Sequence, residues 1–262
     1  MISFVGAGPG AADLLTLRGA QRLADADVVV WAASLVPEQL LDHCRSTAVV
    51  YDSKTMTLDE VTAVYDANPD AHIVRLHSGD PTVYGAIAEQ IDWCLTHGRN
   101  FEIVPGVSSM AATAAAVGQE LTVPGISQSV VLTRLANRTR SSMTEQEAIT
   151  SFAAHGVTMA IFLSAARPRE LQDQLLALGS SYTPDTPAVI GFRVSWPDEQ
   201  VIRTTVGSVA SALAELGETA TVLLLVGPAL APIVSPQRSH VYSPSYRHTF
   251  RAATGDGLGH GG

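Results

Sequence analysis

Between Arg75 and Gln90 the chain reads RLHSGDPTVYGAIAEQ, and His77, Asp80, Tyr84 and Glu89 all stand on or beside a Ser78-Gly79-Asp80-Pro81 turn. Glycine opens backbone angles that other residues avoid, proline fixes one angle, and such a step presents bare amides and carbonyls to a ligand. His77 has the side chain of an acid or base, and equally that of a packed structural residue. The Asp80 carboxylate suits catalysis or the capping of its own turn's amides. The spacing of Ile87, Ile91 and Leu95 predicts a helix that Gly98 closes. Tyr84 and Glu89 would lie on that helix, five residues apart and therefore not on one face. Pro105-Gly106-Val107-Ser108-Ser109 repeats the theme, with Ser108 placed to cap an alanine-rich helix that Gly118 ends. Arg134, Arg138 and Arg140 are close in sequence and read either as a solvated cluster or as a local site for a polyanionic small molecule.

Several chemistries lack their signature. No two histidines stand at i, i+4 and no HExxH occurs, so no metal site is expected. A G-x-S-x-G elbow is missing. Cys44 and Cys94 have no metal or CxxC spacing and read as small apolar residues. The glycines at positions 6, 8 and 10 are spaced GxGxG, Pro9 lacks the N–H a pyrophosphate needs, and no lysine follows, which disfavours dinucleotide and P-loop readings. A formal net charge of −9 argues against binding a nucleic-acid backbone over a broad face. No apolar run reaches the roughly 18–20 residues of a membrane span, and Ile2 to Val5 leads straight into the glycine loop rather than a signal-type segment. A soluble, cytoplasmic protein is expected.

The elements that must hold these residues follow from periodicity. Ile2 to Val5, the glycine loop, a helical stripe through Leu14, Leu17 and Leu23, and a strand from Val28 to Trp31 give the strand–loop–helix–strand order of a parallel α/β sheet. Thr57 with Glu60 forms a capping box for a helix to about Asn68. Strands at 72–76 and 101–104 precede the two turns, placing polar chemistry at strand C-termini, where open α/β sheets bind ligands. Pro124 and Gly125 mark a linker at 120–127. Beyond it come a strand at 129–133, a second capping box at Thr144 and Glu147, a strand at 158–163 and a helix opened by Pro168. Strands at 188–192 and 200–205 form a hairpin around Ser195-Trp-Pro-Asp-Glu199, and a helix at 206–216 and a strand at 221–226 follow. The expected architecture is α/β: an N-terminal α/β domain at 1–119, a linker at 120–127, a C-terminal α/β domain at 128–235, and a partly disordered tail at 236–262. The turns at the strand ends would build a cleft. A cleft of glycine, proline and serine turns is rich in carbonyls and suits a cationic ligand better than a polyphosphate.

GAGPG, RLHSGDPTVYGAIAEQ, EIVPGVSS, SQSVVLTR, IFLS and SWPDEQVIRTT occur in the order seen in the tetrapyrrole methyltransferase family, which the chain resembles from residue 2 to about 227. YGAIAEQ and SWPDE bring it nearest to the branch that methylates precorrin-4 at C11 on the route to cobalamin. The resemblance implies methyl transfer from S-adenosylmethionine, with S-adenosylhomocysteine as product, to a ring carbon of a reduced tetrapyrrole, in a homodimer whose active-site cleft lies between the two α/β domains. Carried over by motif, Pro9, Ser78, Gly79, Asp80, Val83, Ser108, Ser109, Leu163, Val194 and Ala220 would contact the cofactor. Glu89 and Tyr84 would handle protons or touch substrate, and Arg134, Arg138 and Arg193 would pair with substrate carboxylates. Two departures stand out: Ala11-Ala12-Asp13 replaces an Asp-Pro-Asp, and Ala33 removes a carboxylate that relatives carry in ADSLV. Other readings are a sister enzyme acting on another ring carbon or a cobalt-containing substrate, a non-catalytic tetrapyrrole carrier, and a nucleotide-binding regulator.

Overall fold

The computed structural model describes residues 1–135, 143–232, 243–244, 246–247 and 249–252. Two five-stranded sheets organise these residues. The first is wholly parallel, in the order β3-β2-β4-β1-β5, with β1 Ile2–Gly6, β2 Val28–Trp31, β3 Val49–Asp52, β4 Ile73–His77 and β5 Phe101–Val104. Its strands are nearly continuous apolar runs because both faces are covered. Side chains alternate across β1: Ile2 and Phe4 join Val61, Val64 and Tyr65 of α2 (Leu58–Ala67) and Cys94 of α3 (Ala88–Thr96), whereas Val5 faces Leu23 of α1 (Leu17–Asp25). The chain therefore leaves β1 over one face, through α1, and leaves β4 over the other, through α3. Neighbouring strands whose connections diverge in this way form a topological switch point, and a crevice opens at their C-terminal ends.

The second sheet has the order β6-β7-β10-β8-β9, with β6 Val130–Arg134, β7 Thr158–Phe162, β8 Pro187–Phe192, β9 Gln200–Thr205 and β10 Val222–Val226. Only β6 and β7 are parallel, and β8 and β9 form the expected hairpin. One face packs on α5 (Ile149–Ala153), α6 (Pro168–Leu175) and α7 (Val209–Leu216). The other packs on α4 (Ser109–Ala116), a helix that follows the last strand of the first sheet. Gly191 makes that approach close, since a Cβ there would lie 2.7 Å from the Thr113 hydroxyl. Among the described residues no helix is long and apolar enough to cross a membrane.

Local signals explain most boundaries. Thr57 and Glu60 cap α2 reciprocally, Ser108 caps α4, and Pro168 opens α6. Three details differ from the periodicity. The edge strand β3 is not legible as one, because two of its four residues, Val49 and Val50, are exposed. The first helix starts only at Leu17, capped by Thr16, leaving Leu14 in a preceding single turn. The Thr144 amide and hydroxyl do donate to the Glu147 carboxylate, but the contact closes one 3-10 turn before α5 rather than a long helix.

Candidate active site

The two sheets are joined by loops at their strand ends and by α4. The first wall consists of the loops leaving β1, β4 and β5. Gly8 and Gly79 exchange backbone hydrogen bonds (2.8 and 3.2 Å) and both have left-handed backbones, φ +78° and +65°. A Cβ on Gly6 would stand 2.5 Å from the Gly106 Cα, and one on Gly106 would stand 2.1 Å from the Gly79 carbonyl oxygen. Three backbones thus close on one another with no room for a side chain, and the Gly8, Gly79 and Gly106 amides are bonded within the first wall itself. Asp80 braces the arrangement. One of its oxygens accepts the Gly106 amide at 2.9 Å and the other accepts the Thr82 amide at 2.8 Å and the Thr82 hydroxyl. Partial burial works to raise its pKa, but these hydrogen bonds outweigh it and hold the carboxyl below its ordinary range. Of its two sequence readings the capping one describes its contacts.

His77 is buried at the end of β4, and burial with the nearby Arg75 charge pushes its pKa down to about 3. It is neutral at physiological pH, a packed residue beside Phe4 rather than an acid.

The second wall is made of the ends of β6, β7 and β8 and the start of β10. Here the left-handed residues are not glycines: Leu163 (φ 52°), Arg193 (43°), Ser195 (69°) and Thr221 (54°). Non-glycine residues in this region carry strain, and its concentration along one edge marks the edge as functional. The Thr221 carbonyl accepts the Arg193 amide at 3.0 Å, which ties β8 to β10 at the rim.

Two contacts bridge the walls. At one, the Tyr84 ring lies 5.2 Å from that of Phe162. At the other, the Trp196 indole N–H donates to the Pro9 carbonyl (2.9 Å) and the Ala11 amide donates to the Ser195 hydroxyl (2.9 Å). A cavity of about 600 Å³ opens beside this second bridge, between Gly10, Ala11 and Ala12 on one side and Arg193, Ser195 and Trp196 on the other, with Pro37 and Gln39 at its rim.

Pro9, Ser78, Gly79, Asp80 and Val83 all lie in the first-wall loops. Ser108 caps α4, and its Cα lies 3.8 Å from where a Gly79 Cβ would be, so the two turns touch; Ser109 follows it in α4. Leu163 is exposed at the end of β7, and Ala220 is exposed just before β10. Val194 is buried, with its side chain against Gly191. Arg134 ends β6; Arg193 borders the cavity; Arg138 lies outside the described residues.

Tyr84 requires a correction. It is not helical, because Tyr84 (φ 56°) and Ala86 (φ 50°) hold the chain in a bend until α3 starts at Ala88. Burial pushes its hydroxyl pKa up against the opposing influence of Arg134, so the phenol keeps its proton at neutral pH. Glu89 is exposed in the first turn of α3 and lines a groove between α2 and α3 with Asp59, Asp92 and Trp93. That groove shares no lining residue with the cavity beside Gly10. Sequence reasoning also missed Ser195 and Trp196 as site residues, since their partners are 184 and 187 positions away.

Residues 1–210 match the tetrapyrrole (corrin/porphyrin) methylases, and the chain belongs to this family. Within it, the chain is 41% identical to a precorrin-4 C(11)-methyltransferase of Sinorhizobium sp. over 253 residues, covering 95% of this chain and 98% of that protein. The structure is similar to that of a cobalt precorrin-4 methyltransferase from cobalamin biosynthesis, with a TM-score of 0.83 and 39% identity over 88% of this chain and 96% of the other. It is also similar to a uroporphyrin-III C-methyltransferase from Thermus thermophilus complexed with S-adenosylhomocysteine, with a TM-score of 0.71 and 27% identity over 88% and 93% of the two chains.

Proposed function

We propose that this chain is an S-adenosylmethionine-dependent methyltransferase acting on C11 of precorrin-4. The observation that carries the reading is the 41% identity to a precorrin-4 C(11)-methyltransferase along nearly the whole of both chains, which includes both walls of the cleft.

The first wall suits the cofactor. Its Gly6, Gly79 and Gly106 loops pack backbone on backbone, and Pro9 withholds an amide. Carbonyl dipoles favour a sulfonium, whereas an array of amides would favour phosphate. When bound, S-adenosylmethionine supplies a methyl group already activated by its positive sulfur, and S-adenosylhomocysteine is left. Pro9, Ser78, Gly79, Val83, Ser108 and Ser109 would hold it from the first wall, with Asp80 bracing the turn, and Leu163 and Ala220 would approach from the second. Arg193 and Arg134 would pair with substrate carboxylates through their forked donors. Tyr84 would donate a hydrogen bond across the cleft. The chain's main task is then alignment of ring carbon and methyl, an effect that supplies up to about 7–11 kcal/mol in well-oriented reactions. We further propose a cytoplasmic homodimer. The similarity to a cobalt precorrin-4 methyltransferase supports a second reading in which the substrate already carries cobalt.

Calorimetric titration with S-adenosylhomocysteine, using ATP and NAD as controls, tests the cofactor assignment. Binding of the thioether alone is expected. A protein that ignores it yet retains a reduced tetrapyrrole would be a carrier.

A further inference from the structure

We infer that Trp196 is a positioning residue that sets the spacing of the two cleft walls, with Gly10 as its obligate counterpart; this rests on reading the cleft as the methyl-transfer site. A Cβ on Gly10 would lie 2.2 Å from the indole Cδ1, 2.5 Å from Nε1 and 2.9 Å from the Ser195 hydroxyl. Gly10 has no left-handed backbone to explain its identity. What excludes a side chain there is an indole from the other half of the chain. The indole is held on both sides. Its N–H donates to the Pro9 carbonyl at 2.9 Å, and the Arg193 guanidinium lies 4.2 Å from the ring centre. Arg193 in turn pairs with Asp198 at 2.8 Å.

Both partners of this contact are themselves rigid. The bend carrying Trp196 is braced by the Trp196 amide on the Arg193 carbonyl (2.9 Å) and the Ser195 amide on the Glu199 carboxylate (2.6 Å). The Gly6–Gly10 loop is braced by the Gly8–Gly79 ladder. A rigid contact between two rigid loops fixes a distance. Here it is the distance from Pro9, on the cofactor side, to Arg193, on the substrate side. A shift of about 1 Å between reactants costs on the order of 100-fold in rate, so this spacing governs turnover.

A double-mutant cycle on kcat tests the inference. G10A, which drives a methyl group into the indole, is expected to lower kcat by about 10-fold or more, with KM for the tetrapyrrole moving by less than about 3-fold. W196A is expected to lower kcat comparably, and W196F, which keeps a ring over Arg193 but loses the N–H donor, by less. In the G10A/W196A double variant the added methyl has room, so it should cost less than about 2-fold beyond W196A. Losses that multiply, or a W196A enzyme with unaltered kcat, would overturn the inference. Hydrogen exchange of the Trp196 indole N–H provides a readout independent of catalysis. Slow exchange in the wild-type protein and fast exchange in folded G10A are expected, and equal rates would refute the contact. A wild-type chain with no methyl transfer but with this exchange pattern would instead count against the functional reading alone.

Discussion

The two walls of the cleft solve one problem in opposite ways. Both must bend the chain sharply at strand ends. In the glycine loop and Gly-Asp-Pro turn the left-handed bends fall on Gly8 and Gly79, with Tyr84 and Ala86 the non-glycine exceptions further along the loop from β4; on the second wall they fall on Leu163, Arg193, Ser195 and Thr221. The difference follows from what each wall presents. Three loops of the first wall pack backbone on backbone, so a side chain at Gly6 or Gly106 has nowhere to go. The second wall must bend and still display side chains, among them the Arg193 guanidinium and the Ser195 hydroxyl. Left-handed backbone at each such residue costs about 1–2 kcal/mol, which the packed sheet beneath has to absorb.

The contrast breaks most severely at Gly106. In G106A the new Cβ would lie 2.1 Å from the Gly79 carbonyl oxygen and 2.8 Å from the Gly6 Cα, both backbone atoms that cannot move aside singly. Loss of about 3 kcal/mol or more is expected, read as a fall in the urea midpoint together with weakened S-adenosylhomocysteine binding.

The next effect depends on pH. His77 has a folded-state pKa of about 3, below the ordinary value of about 6.5, so the unfolded chain binds the extra proton between these values. Its contribution is therefore complete above about pH 6.5 and is lost as pH falls towards 3, with a slope approaching about 1.4 kcal/mol per pH unit. Urea unfolding at a series of pH values should show this slope, and H77Q should flatten it even if its stability at pH 7 is lower. An unchanged slope would mean that other groups dominate.

The smallest effect belongs to the second wall. T221G relieves strain but adds freedom to the unfolded chain, for a net change of about 0 to +1 kcal/mol in stability. Calorimetric melting should show a midpoint unchanged or slightly raised. A clear destabilisation would mean that Thr221 is held by its side chain and that the strain argument is wrong there.

The first wall was far more legible in sequence than the second, for the same physical reason. Its devices are local: the Gly-Asp-Pro turn, the Ser108 cap and the Thr57–Glu60 box are each complete within a few residues. The alternation of Ile2 and Phe4 against Val5 likewise announces its strand. Tyr84 was misplaced onto a helix because Ile87 and Ile91 do keep helical spacing, while nothing local reveals that two non-glycine residues before them are left-handed. The Trp196–Gly10 contact joins residues far apart in the chain, and a glycine explained by its neighbours in sequence gives no hint of an indole from the β8–β9 loop. The packing of α4 onto the second sheet was hidden similarly, since its apolar residues fit either layer.

The most direct test of the central claim is single-turnover transfer from S-adenosylmethionine bearing a carbon-13 methyl group to precorrin-4, with the product examined by NMR. The account predicts one new labelled methyl, on C11, formed with one equivalent of S-adenosylhomocysteine. A label on another ring carbon, or bound tetrapyrrole with no label at all, would contradict it.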